Sequence, residues 1–415
     1  MRLFVFLSLL FLGLATEGQD LIISKVSFEG LRRTNPEYLQ SFLTLDQGQT
    51  LDWDLLEMNR QRLANLEILS DVQVKTDTLP TSVHVTYECK ELFSHLPIAS
   101  FGGIKENFWL QLGATDVNVF GRGYKAYLAY QYYDRHSVSA HLNFDWIKGS
   151  NWGLNLNFVK WGTLEPLYFS DGVVSYNYDN YTYGVDGVYH FGFRDKILFG
   201  ASYFTEEYEA ASELVAGAPA YKLTRKTLFK LMLDNDYTNW FYYFREGFAH
   251  QLHLQSVYSL DGYPDFYIAF NDLKYYERVG KKGNFASRLR MGIATNQDSP
   301  FAPFVLDSYL NIRGVGNRVD RGSGSVVLNL EYRHSFIDRD KLAIQGVAFS
   351  DLGTWRNPGG EFKDFIQSEN VKSFAGLGVR FIHKEIFNAT LRLDYGVDLQ
   401  SPDRNGFVIG VGQYF

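Results

Sequence analysis

The sequence predicts an all-β transmembrane barrel of about sixteen antiparallel strands behind a small N-terminal α+β domain, on three observations. Aromatic residues are abundant, with 34 Phe and 28 Tyr among 415 residues. Apolar and polar residues alternate through most of the chain, which puts lipid on one face of a strand and lumen on the other. The chain is 46% hydrophobic, with a mean hydropathy of -0.20, yet has no apolar run of the roughly 18 residues that a membrane helix requires. A soluble sandwich shares the alternation, but it hides its aromatics in one core and does not need so many strands of similar length.

At the start, Arg2 followed by the apolar stretch Leu3 to Leu14 reads as a secretory signal over residues 1–19, with the first mature residue between Thr16 and Asp20. Cys89 is the only cysteine, so an intrachain disulfide is ruled out and the thiol is expected to pack as a small hydrophobe. A net charge of -7 and a pI near 5.8 argue against a nucleic-acid partner, which calls for clustered positive charge.

Residues 20–91 differ from everything after them. Ile22 to Glu29 alternates as a strand ended by Gly30, and Asn35-Pro36 supplies a cap and a first helical position for a short helix to about Leu43. Asp52 caps a second helix whose Leu55, Leu56, Leu63 and Leu66 share an arc of about 100°. Ser70 to Lys75 and Ser82 to Glu88 read as a hairpin. Strand, helix, helix, strand, strand in so few residues is a small α+β unit whose core is marginal, so a tether or docking surface on the barrel would steady it.

From Phe101 to Phe415 the alternation runs without a helical interlude. Leu142, Phe144 and Trp146 oppose His141, Asn143 and Asp145; Leu289, Met291 and Ile293 oppose Arg288, Arg290 and Gly292; Leu391, Leu393 and Tyr395 oppose Thr390, Arg392 and Asp394. In the strand from Val326 to Phe336, Val326, Leu328, Leu330 and Tyr332 take one face, while Asn329, Glu331 and Arg333 take the other. About fifteen such segments, and a weaker one near Tyr168 to Tyr176, leave about 20 residues per strand and loop, a fit with sixteen strands and short turns; fourteen is the neighbouring even number. The first strand is read near Phe108 to Gly113. The last is read as Phe407 to Phe415, ending on an aromatic at the membrane interface. Gly406, Gly410 and Gly412 weaken that last strand, and a weakly paired edge is a template for another strand.

The order of the N-terminal elements, with Val26-Ser27-Phe28-Glu29-Gly30 and Leu69-Ser70-Asp71-Val72, resembles a POTRA domain, present here in one copy. Further along stand Asn118-Val119-Phe120-Gly121-Arg122-Gly123, Ile312-Arg313-Gly314-Val315 in a long loop, and Asn329-Leu330-Glu331-Tyr332-Arg333. Phe349-Ser350-Asp351-Leu352-Gly353 and the closing Gly410-Val411-Gly412-Gln413-Tyr414-Phe415 complete the series. In this order they resemble the superfamily of BamA, TamA and the two-partner secretion transporters. The resemblance implies that the loop around Arg313 enters the lumen and that Arg313 contacts Glu331 and Asp351. Parity alone puts Glu331 on the polar face. Asp351 shares parity with Val347 and Phe349, so its inward direction comes from the resemblance. Where the superfamily carries an aromatic after the glycine, this chain has Val315. Arginine suits such a place because its planar fork holds one carboxylate with two parallel hydrogen bonds or bridges two.

The resemblance further implies an outer-membrane protein of a Gram-negative bacterium, with the POTRA domain in the periplasm. Such a protein inserts or translocates a client outer-membrane or secreted polypeptide through a gated seam or lumen. Its partners are that client, the lipid bilayer and periplasmic proteins at the POTRA domain; cofactor and metal are both expected to be none. The single POTRA copy points to an accessory or specialised member. The rival expectation is a passive pore or structural receptor lined by Arg288, Arg290, Arg392 and Asp394, with the loop as a plug. An enzyme is not expected: the sequence has no G-x-S-x-G elbow, no H-E-x-x-H motif and no phosphate-cradling glycine run before lysine.

Overall fold

The structure, a computed structural model, describes residues 21–102, 109–169, 171–241, 243–296, 303–308, 310–316, 320–386 and 389–415. The signal segment lies outside the described residues. In the N-terminal domain, β1 (Ile22–Glu29), α1 (Pro36–Gln40), α2 (Trp53–Ala64), β2 (Leu69–Thr78) and β3 (Ser82–Glu91) follow in order. The sheet order is β1-β3-β2, with β1 parallel and β2 antiparallel to the central β3. Asn35 caps α1 through the Glu37 amide and Asp52 caps α2 through the amides of Asp54 and Leu55. The regular helix α1 ends at Gln40, three residues before Leu43, and the chain continues in tight turns. Leu39, Leu56 and Leu63 of the helices bury against Val72, Val83, Val85 and Tyr87 of the sheet. Cys89 is part of this core, and burial pushes its thiol up to about 12.

Sixteen antiparallel strands form the second unit. The first eight are β4 (His95–Gly102), β5 (Trp109–Val119), β6 (Tyr124–Tyr133), β7 (Arg135–Phe144), β8 (Trp152–Phe169), β9 (Gly172–His190), β10 (Asp195–Ala210) and β11 (Tyr221–Phe241). There follow β12 (Phe244–Ser259), β13 (Phe266–Val279) and β14 (Gly283–Ala294). A long loop then carries its own two-strand ladder of β15 (Phe304–Leu306) and β16 (Asp320–Gly322). The wall resumes with β17 (Gly324–Asp338), β18 (Leu342–Arg356), β19 (Val371–His383), β20 (Thr390–Asp398) and β21 (Asn405–Val411). Each wall strand pairs with its neighbour in sequence, β14 joining β17 across the loop.

Tyr168 to Tyr176, the weaker segment in the alternation, straddles the tip of the β8–β9 hairpin. The first wall strand, β4, begins at His95, ahead of the Phe101 and Phe108 starts that alternation picks out. Pro97, Ala99 and Ser100 blur its period. The Phe108–Gly113 segment, from Trp109 onward, belongs to β5 instead.

Outward residues such as Leu142, Phe229, Leu254, Tyr275, Met291, Leu377 and Leu391 are exposed and form the apolar band of a bilayer-spanning barrel. Inward positions carry Asn157, Asp186, Lys230, Asp234, Asp272 and Arg288, many joined in hydrogen bonds or ion pairs across strands. Trp146 departs from the oily set to which parity assigns it. It sits in the turn after β7 at φ 54° and stacks on His190 with ring centres 4.1 Å apart.

That tryptophan marks where the two units meet. Phe42 of the N-terminal domain packs edge-on against Trp146 and Phe193 at 5.4 and 5.8 Å. Val117, Leu96 and Phe193 of the barrel join the same buried cluster as Leu39 and Leu63. The Asn118–Gly123 turn is the main socket. Its Gly121 carbonyl accepts from the Asn35 amide at 2.9 Å, and Asn118 Nδ2 donates to Thr34 Oγ1 at 2.9 Å. Gly121 at φ 69° and Gly123 at φ 64° leave no room for a side chain, since an added Cβ would meet Arg33 O at 2.2 Å and Tyr38 Oη at 2.1 Å. Lys125 pairs with Glu67 at 2.6 Å, Asn65 bonds Asn239 at 3.2 Å, and Phe93 bridges to Ile386. The domain is therefore seated on one rim of the barrel, called here the proximal rim.

Candidate functional site

The long loop between β14 and β17 turns inward. Ile312 is fully buried among Leu306, Val327, Trp355 and Phe374, and Val315 packs against this cluster. That apolar anchor brings Arg313 to the inner face of the β17–β18 pair, where Asn329 and Asp351 stand opposite one another in register. The Arg313 amide and Nε both donate to Asp351 Oδ2 at 2.9 Å, and Nη2 donates to Oδ1 at 2.9 Å. Its remaining Nη1 donates to Glu331. All three side chains are shut off from solvent.

The carboxylates have further partners. Glu331 also accepts from Arg333 and, at 3.5 Å, from Arg380; Asp351 accepts from Asn329 Nδ2 at 2.8 Å. Arg380 in turn holds Asp394 at 2.6 Å. Arg288 donates to the Leu310 carbonyl at 2.7 Å. Phe349, of the same parity as Asp351, also faces inward, and its ring centre lies 3.7 Å from the Arg313 guanidinium carbon. The loop packs against the inner wall in this sector, so an apolar residue and a carboxylate share one buried inward face.

A second ring also lies against Arg313: that of Tyr414, with its centre 4.4 Å from the guanidinium carbon. Strand pattern extends the last strand to Phe415, at the membrane interface. The regular ladder instead stops at Val411, and Gly412, at φ 86°, turns the chain inward. Gln413 then bonds Arg380 and Arg392, Tyr414 Oη donates to the Ser308 carbonyl at 3.2 Å, and the Phe415 carbonyl accepts from Arg333 at 3.3 Å. The Phe415 ring lies 5.9 Å from the Arg288 guanidinium carbon. Of the seam residues read from sequence, Gly410 is in β21, while Gly412 and Phe415 are in this inward tail.

Glycines complete the seat. At φ 93°, Gly314 lies against Gly396 of β20 and Gly406 of β21. A Cβ on Gly396 would meet Arg313 O at 2.2 Å, and one on Gly406 would meet Gly314 O at 2.9 Å. Gly410 faces the Arg392 guanidinium at about the same distance. Loop backbone thus rests directly on the wall of the last hairpin.

The seam itself lies beside this seat. β21 and β4 end the sheet order and run side by side, with Cα atoms within 8 Å, but no ladder joins them among the described residues. They are seven and eight residues long, whereas β8 and β9 have 18 and 19. Toward the rim away from the N-terminal domain, β8 to β13 enclose a cavity of about 760 Å³ lined by Trp161, Tyr178, Glu206, Lys226 and Phe266, with Arg321 of the loop on its wall.

Residues 21–92 match the family described as "POTRA: Surface antigen variable number repeat". The N-terminal unit is a POTRA domain. Over 95% of the chain, the fold is that of three solved structures at 11–14% identity. They are BamA from Haemophilus ducreyi lacking POTRA domains 1-3 (14% identity, TM-score 0.55, 84% of that chain), CdiB from Acinetobacter baumannii (12%, 0.58, 74%) and CdiB from Escherichia coli (11%, 0.62, 77%). No curated protein sequence matches the chain. The fold read from the sequence, a small α+β domain ahead of an antiparallel barrel, is thus shared with these BamA and CdiB structures.

Proposed function

We propose that this chain is an outer-membrane protein of a Gram-negative bacterium that inserts or translocates client polypeptides, with its POTRA domain in the periplasm. The observation that carries the reading is the seam: among the described wall strands, only β4 and β21 lie side by side without a ladder. Pro97 stands in β4, and proline has no amide to donate, which suits an edge strand and not an interior one. Unpaired backbone groups at such an edge can take up an added strand from a client. The Arg313 loop is the lock in this reading, closing the lumen on the seam side until a client arrives. The fold shared with BamA and CdiB supports assembly or translocation as the class of work.

Cysteine pairs placed along β4 and β21 test the reading. Oxidation should abolish client insertion or export, and reduction should restore it; full activity in a completely crosslinked barrel would overturn it. The passive-pore reading draws on the cavity beside the loop. Single-channel recording separates the two. Large steady conductance in the intact protein marks a pore, whereas small flickering conductance that grows in Arg313→Ala marks a gated machine.

A further inference from the structure

The lock and the seam are physically one assembly, joined through the last four residues. β21 is one of the two strands that flank the seam. Its continuation, Gly412–Phe415, reaches inward and supplies the ring that covers Arg313, while Tyr414 Oη bonds the loop at Ser308. On the other side of the same loop, Gly314 is pressed onto Gly396 and Gly406 of the last two strands. Arg313 is therefore held by β17 and β18 through its carboxylates, and by β20 and β21 through backbone contact and an aromatic face.

We propose that the Gly412–Phe415 tail is a catch that couples the two exits of the barrel, so that displacing the seam strand frees the lumen loop and releasing the loop frees the seam strand. The proposal rests on the functional reading above and specifies its regulation. Opening sideways to the bilayer and opening along the axis then become one transition. Pulling β21 outward withdraws Tyr414 from Arg313 and opens the side of the buried ion cluster to water. Retracting Arg313 strands Tyr414 and lifts Gly314 off Gly406, so the last strand loses its inner support. Coupling of this kind is reciprocal, because each element stabilises the state that holds the other.

The coupling is measurable in the resting, detergent-purified protein without any client. In a Cys89→Ser background, Val315→Cys reports the loop and Val408→Cys, on the inward face of β21, reports the strand. The rate of maleimide modification is read on protein whose barrel is shown folded by its heat-modifiable migration. Tyr414→Ala should raise modification of Val315→Cys at least tenfold, and Arg313→Ala should do the same for Val408→Cys. Tyr414→Phe, which keeps the ring, should stay within about twofold of the parent. Gly396→Ala touches neither Tyr414 nor the Arg313 side chain and should raise both rates, so it serves if Tyr414→Ala does not fold. Either alanine variant leaving the reporter on the other element unchanged would overturn the catch. A catch that holds in this assay, together with a crosslinked seam that does not impair activity, would leave the coupling standing and remove the insertion reading.

Discussion

Arg313 is shut off from solvent: carboxylates fill its fork, and the rings of Phe349 and Tyr414 lie close against its guanidinium. Removing one member of a buried charge cluster leaves the others unpaired in a medium that solvates them poorly, at a cost of about 3–5 kcal/mol. Arg313→Ala should lower the barrel's stability by that amount in urea unfolding from lipid vesicles, followed by tryptophan fluorescence. Arg313→Lys, which keeps the charge but loses the fork, should fall between the two. This residue-scale picture was only partly legible in the sequence. Parity places Glu331 inward. Asp351, read beside Val347 and Phe349, looks lipid-facing unless those two are themselves inward, as they are. Tyr414 was hidden for another reason: Gly410, Gly412 and Tyr414 continue the strand period unbroken, and periodicity cannot register that one glycine has taken a positive φ.

At the scale of elements, the socket between the POTRA domain and the barrel is as specific as the lock. Strand and helix boundaries in the domain were readable from caps and breakers, because Asn35, Asp52 and Gly30 act through local backbone bonds. The socket was not, since it joins residues more than 80 positions apart, such as Thr34 and Asn118. Asp145, in the turn after β7, stands beside it. Burial alone would raise its carboxyl, but His190, with Nε2 3.4 Å from Oδ1, and the charges of Lys196 and Lys125 outweigh burial and hold it at about 2, below its usual 3.8. A depressed carboxyl stabilises the folded form above its ordinary titration and ceases to do so as pH falls through its own. The groups that depress it all belong to the barrel, so its contribution to barrel stability should be unchanged from pH 7 to about 4 and fall between 4 and 2. Urea unfolding followed by tryptophan fluorescence across that range reports this, and Asp145→Asn should flatten the dependence.

On the scale of the whole molecule, the barrel is lopsided. β8 to β11 are 16 to 21 residues long, about 50–70 Å at the rise of an extended strand, while β4 and β21 span half of that or less. Strand count and antiparallel order followed from alternation and chain length. The lopsidedness did not, because alternation marks the middle of a strand and says little about where pairing stops. Short β4, with Pro97 and small residues, was the least visible strand for the same reason that it is a poor ladder partner.

The cluster that packs Leu39 and Leu63 of the POTRA domain also contains Val117, Phe193 and Leu96 of the wall. A domain whose interior is finished by residues from elsewhere in the chain is not self-sufficient. Residues 21–92 made as a separate fragment should melt well below the same domain in the full protein, by calorimetry, and a shared melting temperature would show that the borrowed residues contribute little. This sets an order of events in folding. The domain comes first in the chain but completes its core last, because its apolar side stays unfinished until the cylinder has closed beneath it.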